Sequence, residues 1–231
     1  MTLPDGYRAL VVAPGAIGRA MAAGISGDPR CGELIVAGRR EALFVDFERP
    51  ETIAALFARL EGPLHLVLVT GGLLHDAEVN PERALREIDA AALARLYAVN
   101  AIGPALVARH AEPLIPRDVP ACFAMMGARV GSISDNRLGG WVGYRMAKAG
   151  AAQFVRTLSL EWRRTRPLAT ALLLHPGTVD SALSAPFQRG VAPDRLFTPD
   201  HSAAALLDVI AAAGPERSGD HVAWDGTTIP A

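Results

Sequence analysis

Short apolar segments alternate regularly with longer amphipathic ones along the chain, and this alternation constrains the fold more than any other feature. Apolar runs bounded by turn residues predict strands over 7–13, 33–38, 42–47, 63–70, 119–127, 168–177 and 219–226. Helical periodicity predicts helices over 16–26, 50–60, 89–114, 142–164 and 199–214, the third of them interrupted near 100–104. Apolar strands separated by helices are typical of a parallel sheet covered on both faces. We therefore expect one doubly wound α/β domain over residues 1–231, with a mostly parallel sheet of about seven strands.

Composition and charge exclude several classes of protein. Half of the 231 residues are apolar, enough for one sizeable core, and the formal net charge of −1 gives no footprint for nucleic acid or an anionic membrane. The two cysteines are far apart and the six histidines lack metal-ligand spacing, so neither a disulfide framework nor a metal site is expected. No signal-peptide pattern and no membrane-spanning apolar run is recognised, which predicts a soluble cytoplasmic protein.

The stretch GGWVGYRMAKAG, residues 139–150, places a tyrosine and a lysine four residues apart. On a helix, Tyr144 and Lys148 then lie on one face, one turn apart. An ammonium group next to a phenol lowers the phenol's pKa, which turns tyrosine into an acid or base usable near neutral pH. The spacing alone does not establish this role, because most such pairs lie on solvated helix faces.

A strand-to-helix turn and the charges after the next two strands indicate a dinucleotide. Gly15 and Gly18 follow the first predicted strand, where a pyrophosphate approaches a helix N-terminus; the alternative is close packing of helix on strand. Arg39 and Arg40 follow the second strand and favour NADP over NAD, because arginine accommodates a 2′-phosphate; otherwise they are simply solvated. Asp46 ends the third predicted strand and either binds an adenine amino group or caps the next helix.

Further motifs follow in a fixed order: TGG, VNAIGPAL, ARVGSISDNRLGGWVGYRMAKAG, HPGTVDSALSAPF and WDGTTIP. Together with the glycine turn, they resemble the short-chain dehydrogenase/reductase superfamily, and more narrowly its C-factor and sniffer-like carbonyl reductases, over nearly the whole chain. The resemblance implies a single Rossmann-type domain, NADPH-dependent reduction of a small aldehyde or ketone, and a homodimer.

The resemblance also assigns roles to individual residues. Tyr144 donates a proton to the carbonyl oxygen, Lys148 holds the nicotinamide ribose, and Asn100 holds a water that relays protons to Lys148. The alternative for Asn100 is a buried amide that bonds a broken helix. The remaining cofactor contacts implied by the resemblance are Gly15, Ile17, Gly18, Gly71, Gly72, Pro176, Gly177, Thr178 and Val179, the last through its backbone at the carboxamide.

The first turn departs from the superfamily's GxxxGxG pattern. Aligned on Gly18, the other two glycine positions hold Val12 and Ala16, where side chains take the room that the cofactor needs. Likewise Val69 and Thr70 stand where the family has two asparagines. We expect these changes to weaken cofactor affinity without altering the fold.

The second departure concerns the serine that orients the carbonyl. Gly127 and Ala128 stand where the family commonly has a serine pair. Ser132, twelve residues before Tyr144, is the candidate for that role, and Ser134 is a candidate substrate contact. The alternative is that Ser132 is an ordinary turn residue.

Trp141 and the segment 183–197 are expected to border the substrate. Trp141 otherwise packs on the sheet, and the segment is otherwise a static surface loop rather than a lid.

A rival interpretation is a cofactor-binding regulatory or signalling protein that lost efficient turnover, motivated by Val12, Ala16 and the missing serine.

Overall fold

Six parallel strands form the central sheet of the structure, a computed structural model that describes residues 2–231. The strands are β1 (Tyr7–Val12), β2 (Cys31–Ala37), β3 (Leu66–Val69), β4 (Ala121–Met126), β5 (Ala169–His175), β6 (Thr178–Val179), β7 (Leu196–Phe197) and β8 (His221–Ala223). The strand order in the central sheet is β2-β1-β3-β4-β5-β8, and the two short strands β6 and β7 pair separately. The sheet confirms the predicted doubly wound α/β fold.

Helices cover both faces of this sheet. They are α1 (Ala16–Ser26), α2 (Pro50–Phe57), α3 (Ala90–Tyr97), α4 (Gly103–Ala111), α5 (Val142–Thr165) and α6 (Pro199–Ala212). One core cluster lies between the sheet and α2, α4 and α5, and a second lies between the sheet and α1 and α6. Burial from both sides explains why strands such as LVLV in β3 are apolar at every position.

The strand order reverses between β1 and β3. The chain moves outward from β1 to β2, then returns across β1 to β3 and continues in the opposite direction. At such a switch point the loops after neighbouring strands diverge and leave a crevice at the carboxyl edge. This crevice is where a ligand is expected.

One predicted strand, 42–47, does not form, so the sheet has six strands instead of about seven. Only Leu43 bridges to Ala37. Val45 and Phe47 are buried, so their alternating pattern serves the core without a hydrogen-bonded ladder. The backbone then turns directly into α2, where the Thr52 hydroxyl donates to the Arg49 carbonyl at 2.7 Å and accepts from the Asp46 N–H at 3.0 Å.

The long helical stretch is interrupted where the sequence predicts, by a π-helical turn over Ala98–Ile102 between α3 and α4. The whole stretch Ala90–Leu114 is long and apolar enough, by length and composition, to cross a membrane, which the sequence analysis did not anticipate. In the structure its two helices pack on α5 and α2. Part of its apolar surface is therefore buried within the fold, while Ile102 remains exposed.

Candidate functional site

Tyr144 and Lys148 lie in the first two turns of α5, facing the carboxyl end of β4. The predicted shared face is confirmed, and it is buried: Tyr144 is 7% exposed and Lys148 is 2% exposed. Lys148 is the only lysine among 23 basic residues. The chain uses arginine for its other basic side chains and places here the one basic side chain whose pKa shifts readily on burial.

Burial dominates the electrostatics of this pair. The Lys148 ammonium donates to the carbonyl of Met126 at 2.7 Å and lies 5.6 Å from the centre of the Tyr144 ring. Burial lowers the pKa of Lys148 to about 7 and raises the pKa of Tyr144 above its usual value. Burial therefore shifts the pKa of Tyr144 upward, opposite to the lowering that was expected from Lys148. The phenol stays protonated at neutral pH.

Asn100 lies in the π-helical turn and is fully buried. Its amide nitrogen donates to the carbonyls of Leu73 and Leu96, at 2.7 and 3.0 Å, and its oxygen accepts from the Leu73 N–H. It thus bonds the broken helix, as the alternative interpretation supposed, and also ties that helix to the segment after β3. A Cβ on Gly72 would lie 3.3 Å from the Asn100 oxygen and 3.8 Å from Lys148 Nζ, so these groups converge on one small space.

The turn after β1 combines an open helix start with a tightly packed interior. Gly15 caps α1 without any side-chain hydrogen bond, and a Cβ there would meet no atom within 4 Å. Gly18 faces inward, where a Cβ would lie 2.1 Å from the Thr70 hydroxyl oxygen. Ile17 is half-buried against the core. Gly18 therefore permits close packing of helix on strand, and Gly15 leaves the start of α1 unobstructed.

Val12 does not intrude on the crevice, contrary to the sequence-based expectation. It ends β1, is fully buried and belongs to the core beneath the sheet's α2 side. The strained residue is its neighbour Ala13, with φ of +54°. A Cβ on Gly71 would come within 2.7 Å of the Ala13 Cβ, so glycine is required there by close approach of two strand ends. Ala16, by contrast, is exposed at the first position of α1.

Three charged side chains stand at the outer part of the crevice. Arg39 and Arg40 follow β2, are exposed, and form no ion pair within residues 2–231. One oxygen of Asp46 accepts from the Glu48 N–H, which makes a local turn before α2. The arginines are thus free to meet an anion, while Asp46 is partly engaged in the backbone.

The HPGTV segment follows β5. Gly177 has φ of +78°, and a Cβ there would clash with Phe197 at 2.6 Å. The buried Ser202 hydroxyl donates to the Pro176 carbonyl, which fixes the turn to α6. Thr178 is exposed and Val179 is buried, and both form β6.

Neither candidate serine has a free hydroxyl. Ser132 is buried; its hydroxyl donates to the Ala231 carbonyl at 3.5 Å and accepts from the Asp135 N–H. Ser134 is exposed and binds the same carbonyl through its N–H and its hydroxyl. Ala128, where the family commonly has serine, packs instead into the small apolar cluster that contains Tyr144.

Aromatic rings cover Tyr144 from the side of the predicted substrate segment. Trp141 stands edge-on to Tyr144 at 6.4 Å and to Phe187 at 4.9 Å. Phe187 also contacts His75, whose Nε2 lies within 3.2 Å of the carbonyls of Ala182 and Leu183. Trp141 therefore contacts both Tyr144 and the 183–197 segment, and that these residues border a substrate stays a prediction.

Sequence reasoning missed two charged residues whose side chains bond the backbone at the start of α5. The buried Glu82 and the half-buried Arg145 both bond the backbone around Trp141. Nothing in the local pattern signals Glu82, because its partners are about sixty residues further along the chain. Arg145 adjoins Tyr144 in sequence, but its role depends on a loop conformation that only the structure gives.

A cavity of about 450 Å³ opens at the carboxyl ends of β5 and β8. Its lining includes Arg129, His175, Thr178, Phe197 and Trp224. The Nδ1 atom of His175 is buried without a hydrogen-bond partner among residues 2–231, and burial lowers the pKa of this histidine to about 4. Gly177 and Arg129, the residue after Ala128, both line the cavity. The cavity therefore extends the site along the sheet edge, away from the switch point.

Taken together, a crevice at the switch point of a doubly wound sheet and a buried Tyr–Lys–Asn group beside it define a Rossmann-type oxidoreductase. No protein-family model matches the chain. Over 200 residues the sequence is 31% identical to 1-hydroxy-2-glutathionyl-2-methyl-3-butene dehydrogenase of Rhodococcus sp. (strain AD45), covering 85% of this chain and 83% of the relative. The chain belongs to the short-chain dehydrogenase/reductase family.

Two further similarities agree with this assignment. The sequence is 33% identical over 147 residues to the C-signal protein of Myxococcus xanthus, covering 64% of this chain and 83% of that protein. The NADPH-bound carbonyl reductase from chicken fatty liver has the same fold, with a TM-score of 0.85 at 18% identity over 99% of this chain and 100% of that one. The resemblance seen in the sequence motifs is confirmed at the level of the family.

Proposed function

We propose that the protein is an NADP-dependent reductase of a small aldehyde or ketone. The observation that carries the proposal is a buried group of three side chains at the carboxyl edge of the sheet: Asn100 and Lys148 meet beside the Gly72 backbone, and the Tyr144 ring lies 5.6 Å from Lys148 Nζ. A phenol, an amine and an amide have no structural need to meet in so small a volume, and buried ionisable groups cluster at functional sites.

The residues around the crevice fit a phosphorylated dinucleotide. Gly15 leaves the α1 N-terminus open, where unpaired N–H groups and the helix dipole attract a pyrophosphate. Arg39 and Arg40 would meet the 2′-phosphate, and Gly71, Gly72 and the Pro176–Val179 segment would border the sugar and nicotinamide. One of the structural neighbours is the NADPH-bound carbonyl reductase, which is consistent with this cofactor.

The bound cofactor would supply a hydride to the carbonyl carbon. Tyr144 would hold its proton until the carbonyl oxygen gains charge and then donate it, which its raised pKa suits in the reductive direction. Lys148, with a pKa of about 7, would exchange protons easily beside it, and Asn100 would hold the backbone that frames the relay. The aromatic rings of Trp141 and Phe187 would exclude water.

The substrate class follows from the walls of the site. Trp141 and Phe187 would pack on the apolar part of a small carbonyl compound, and the cavity beyond Arg129 and His175 leaves room for a polar extension. The Rhodococcus relative is by name a dehydrogenase of a glutathionyl alcohol. Substrates with a polar or anionic tail therefore belong in any test panel. Ser132 or Ser134 would orient the carbonyl only if its hydroxyl is released from the main-chain oxygen of Ala231.

The test is NADPH consumption across a panel of aldehydes and ketones, with NADH run in parallel and Tyr144→Phe as the matched inactive control. Turnover that depends on Tyr144 and prefers NADPH is the expected result. Equal turnover in the parent and the Tyr144→Phe variant would overturn the assignment of Tyr144 as the proton donor. The absence of any turnover would overturn the proposed reductase function.

A non-catalytic signalling role is the second candidate, and the 33% identity to the C-signal protein favours it. Binding of NADPH without turnover of any carbonyl in the panel would support this role over the reductase.

A further inference from the structure

The loop that leads into α5 has an unusual backbone. Gly139, Gly140 and Trp141 have φ of +64°, +66° and +52°, three consecutive residues in the left-handed region. Glycine adopts this conformation freely, but a bulky residue such as tryptophan does so at a cost of about 1–3 kcal/mol. A strained residue persists only where its surroundings hold it, and Trp141 is the residue whose ring stands against Tyr144.

Glu82 holds this turn from outside the helix. Its main-chain carbonyl accepts from the Trp141 N–H at 2.6 Å, and both carboxylate oxygens lie 3.2 Å from the Gly143 N–H. The carboxylate is 3% exposed and has no cationic partner in the described part of the chain. Trp141, at the N-cap position, offers no side-chain cap of its own, so the Glu82 carboxyl group supplies the cap by accepting from the Gly143 N–H.

Arg145 holds the same turn from within the helix. Its guanidinium donates to the carbonyls of Gly140, Gly139 and Val130, at 2.9, 3.1 and 3.0 Å. Val130 belongs to the loop after β4, which packs beside Tyr144. One planar fork therefore ties together two loops that border the phenol, a geometry that lysine does not reproduce.

We propose that Glu82 and Arg145 are positioning residues for the proton donor: together they hold the left-handed turn 139–141, and thereby set the orientation of Trp141 and Tyr144. The proposal rests on the proposed reductase function. Neither side chain is assigned to bind substrate or cofactor; both act through the backbone of the turn.

The chain offers a matched control at the other end of the same helix. Arg166 follows α5, is 5% exposed, and bonds the carbonyls of Ile115 and Glu112 and the Glu112 carboxylate. Arg145→Met and Arg166→Met therefore remove the same kind of guanidinium-to-carbonyl contact, one near Tyr144 and one far from it. Both are expected to lower Tm.

Only the Arg145 variant is expected to lose catalysis. Misplacing a reacting group costs about 10- to 100-fold, so kcat should fall by that factor in Arg145→Met and stay within about twofold of the parent in Arg166→Met. The NADPH Kd should stay within about threefold in both, since neither residue borders the dinucleotide crevice. Equal kcat losses in the two variants would overturn the positioning role of Arg145.

Glu82 is tested by a conservative rescue. In Glu82→Gln the amide oxygen still accepts from the Gly143 N–H, so kcat should stay within about fivefold of the parent, whereas Glu82→Leu should lose about 10- to 100-fold. Equal values for these two variants, whether both high or both low, would overturn the hydrogen-bonding role of Glu82.

Near-ultraviolet circular dichroism gives a readout that does not need turnover. The Trp141 contribution is first assigned by difference from Trp141→Phe, and it should change in Arg145→Met and Glu82→Leu but not in Arg166→Met. An unchanged Trp141 signal in the first two variants would overturn the proposal. A parent protein that shows this pattern without reducing any carbonyl would contradict the proposed function alone.

Discussion

The two halves of the crevice are built in opposite ways. Around the ends of β1 and β2, Gly15, Ala16, Arg39 and Arg40 are exposed and make few contacts with the rest of the chain. Around the ends of β3 and β4, in the half that holds the proposed catalytic group, Tyr144, Lys148 and Asn100 are buried, and Lys148 and Asn100 are hydrogen-bonded before any ligand arrives. A site that recognises phosphates needs accessible donors, whereas proton transfer needs groups held rigidly out of water.

The electrostatics follow this division. In the half with the proposed catalytic group, burial raises the pKa of Tyr144 and lowers that of Lys148. Burial also lowers the pKa values of His175 and His221, which lie further along the same edge on β5 and β8. Arg39 and Arg40 are exposed, so their attraction for an anionic ligand acts through solvent and is weakened by salt. Mutations in the catalytic half should therefore change turnover, and mutations in the cofactor half should change affinity.

Removing the phenol hydroxyl is expected to have the largest effect. Tyr144→Phe should lower kcat by about 10²- to 10⁴-fold, the range for loss of a general acid, with the NADPH Kd nearly unchanged. Tyr97→Phe is the matched control, because Tyr97 also packs against α5, beside Gly150. Steady-state kinetics and a fluorescence titration measure the two quantities. If Tyr144→Phe keeps most of its kcat, the catalytic half has been assigned wrongly.

Lys148 should also make stability depend on pH. Its pKa is about 7 in the folded protein and near 10.5 when exposed, so the unfolded chain binds more protons between these values. The free energy of unfolding should therefore rise with pH from 7 towards 10, by roughly 1–3 kcal/mol. Urea unfolding at pH 7 and pH 9, with no cofactor added, measures the rise, and Lys148→Met should remove it.

The titration can also be followed directly. Because Lys148 is the only lysine, protein labelled with ¹³C-lysine gives a single side-chain NMR signal. Its midpoint should lie well below 10.5, in keeping with the burial of the ammonium. A midpoint at the ordinary lysine value would show that water reaches this half of the crevice after all.

In the cofactor half, Arg39 should set the choice between NADPH and NADH. A charge-assisted contact with the 2′-phosphate contributes roughly 1.5–3 kcal/mol, so Arg39→Ala should reduce the preference for NADPH about tenfold or more. Arg59→Ala, another arginine outside the crevice, serves as control. Titrations at low and moderate salt should show the preference shrinking with ionic strength. Equal affinity of the parent protein for both cofactors would contradict this assignment.

The sequence predicted this architecture well, because hydrophobic periodicity and turn residues indicate strands and helices directly. The predicted bounds of α1 match the structure, and those of α5 end within one residue of it. The prediction of a strand over 42–47 was wrong, because Val45 and Phe47 are buried in the core without backbone hydrogen bonds to a neighbouring strand. The contact of Glu82 with α5 and the hydrogen bond from the Ser132 hydroxyl to Ala231 could not be predicted from the sequence, since both join distant parts of the chain.

The smallest expected effect concerns Ala16, the exposed first residue of α1. The pyrophosphate would be held by N–H groups of this turn, and a methyl group there keeps the phosphate from approaching as closely as a glycine allows. Weakening one charge-assisted bond costs up to roughly 1.5–3 kcal/mol, so Ala16→Gly should tighten NADPH binding by about three- to tenfold. The gain is limited because glycine in a helix costs as much as 1 kcal/mol.

Val12→Gly is the informative partner to this variant. Since Val12 is fully buried beneath the sheet, its truncation should leave a cavity and lower the free energy of unfolding by about 2–4 kcal/mol without tightening NADPH binding. Calorimetry and urea unfolding on the two variants separate the effects. Submicromolar NADPH binding by the parent protein, or no gain from Ala16→Gly, would mean that the open half of the crevice holds phosphate well enough without its second glycine.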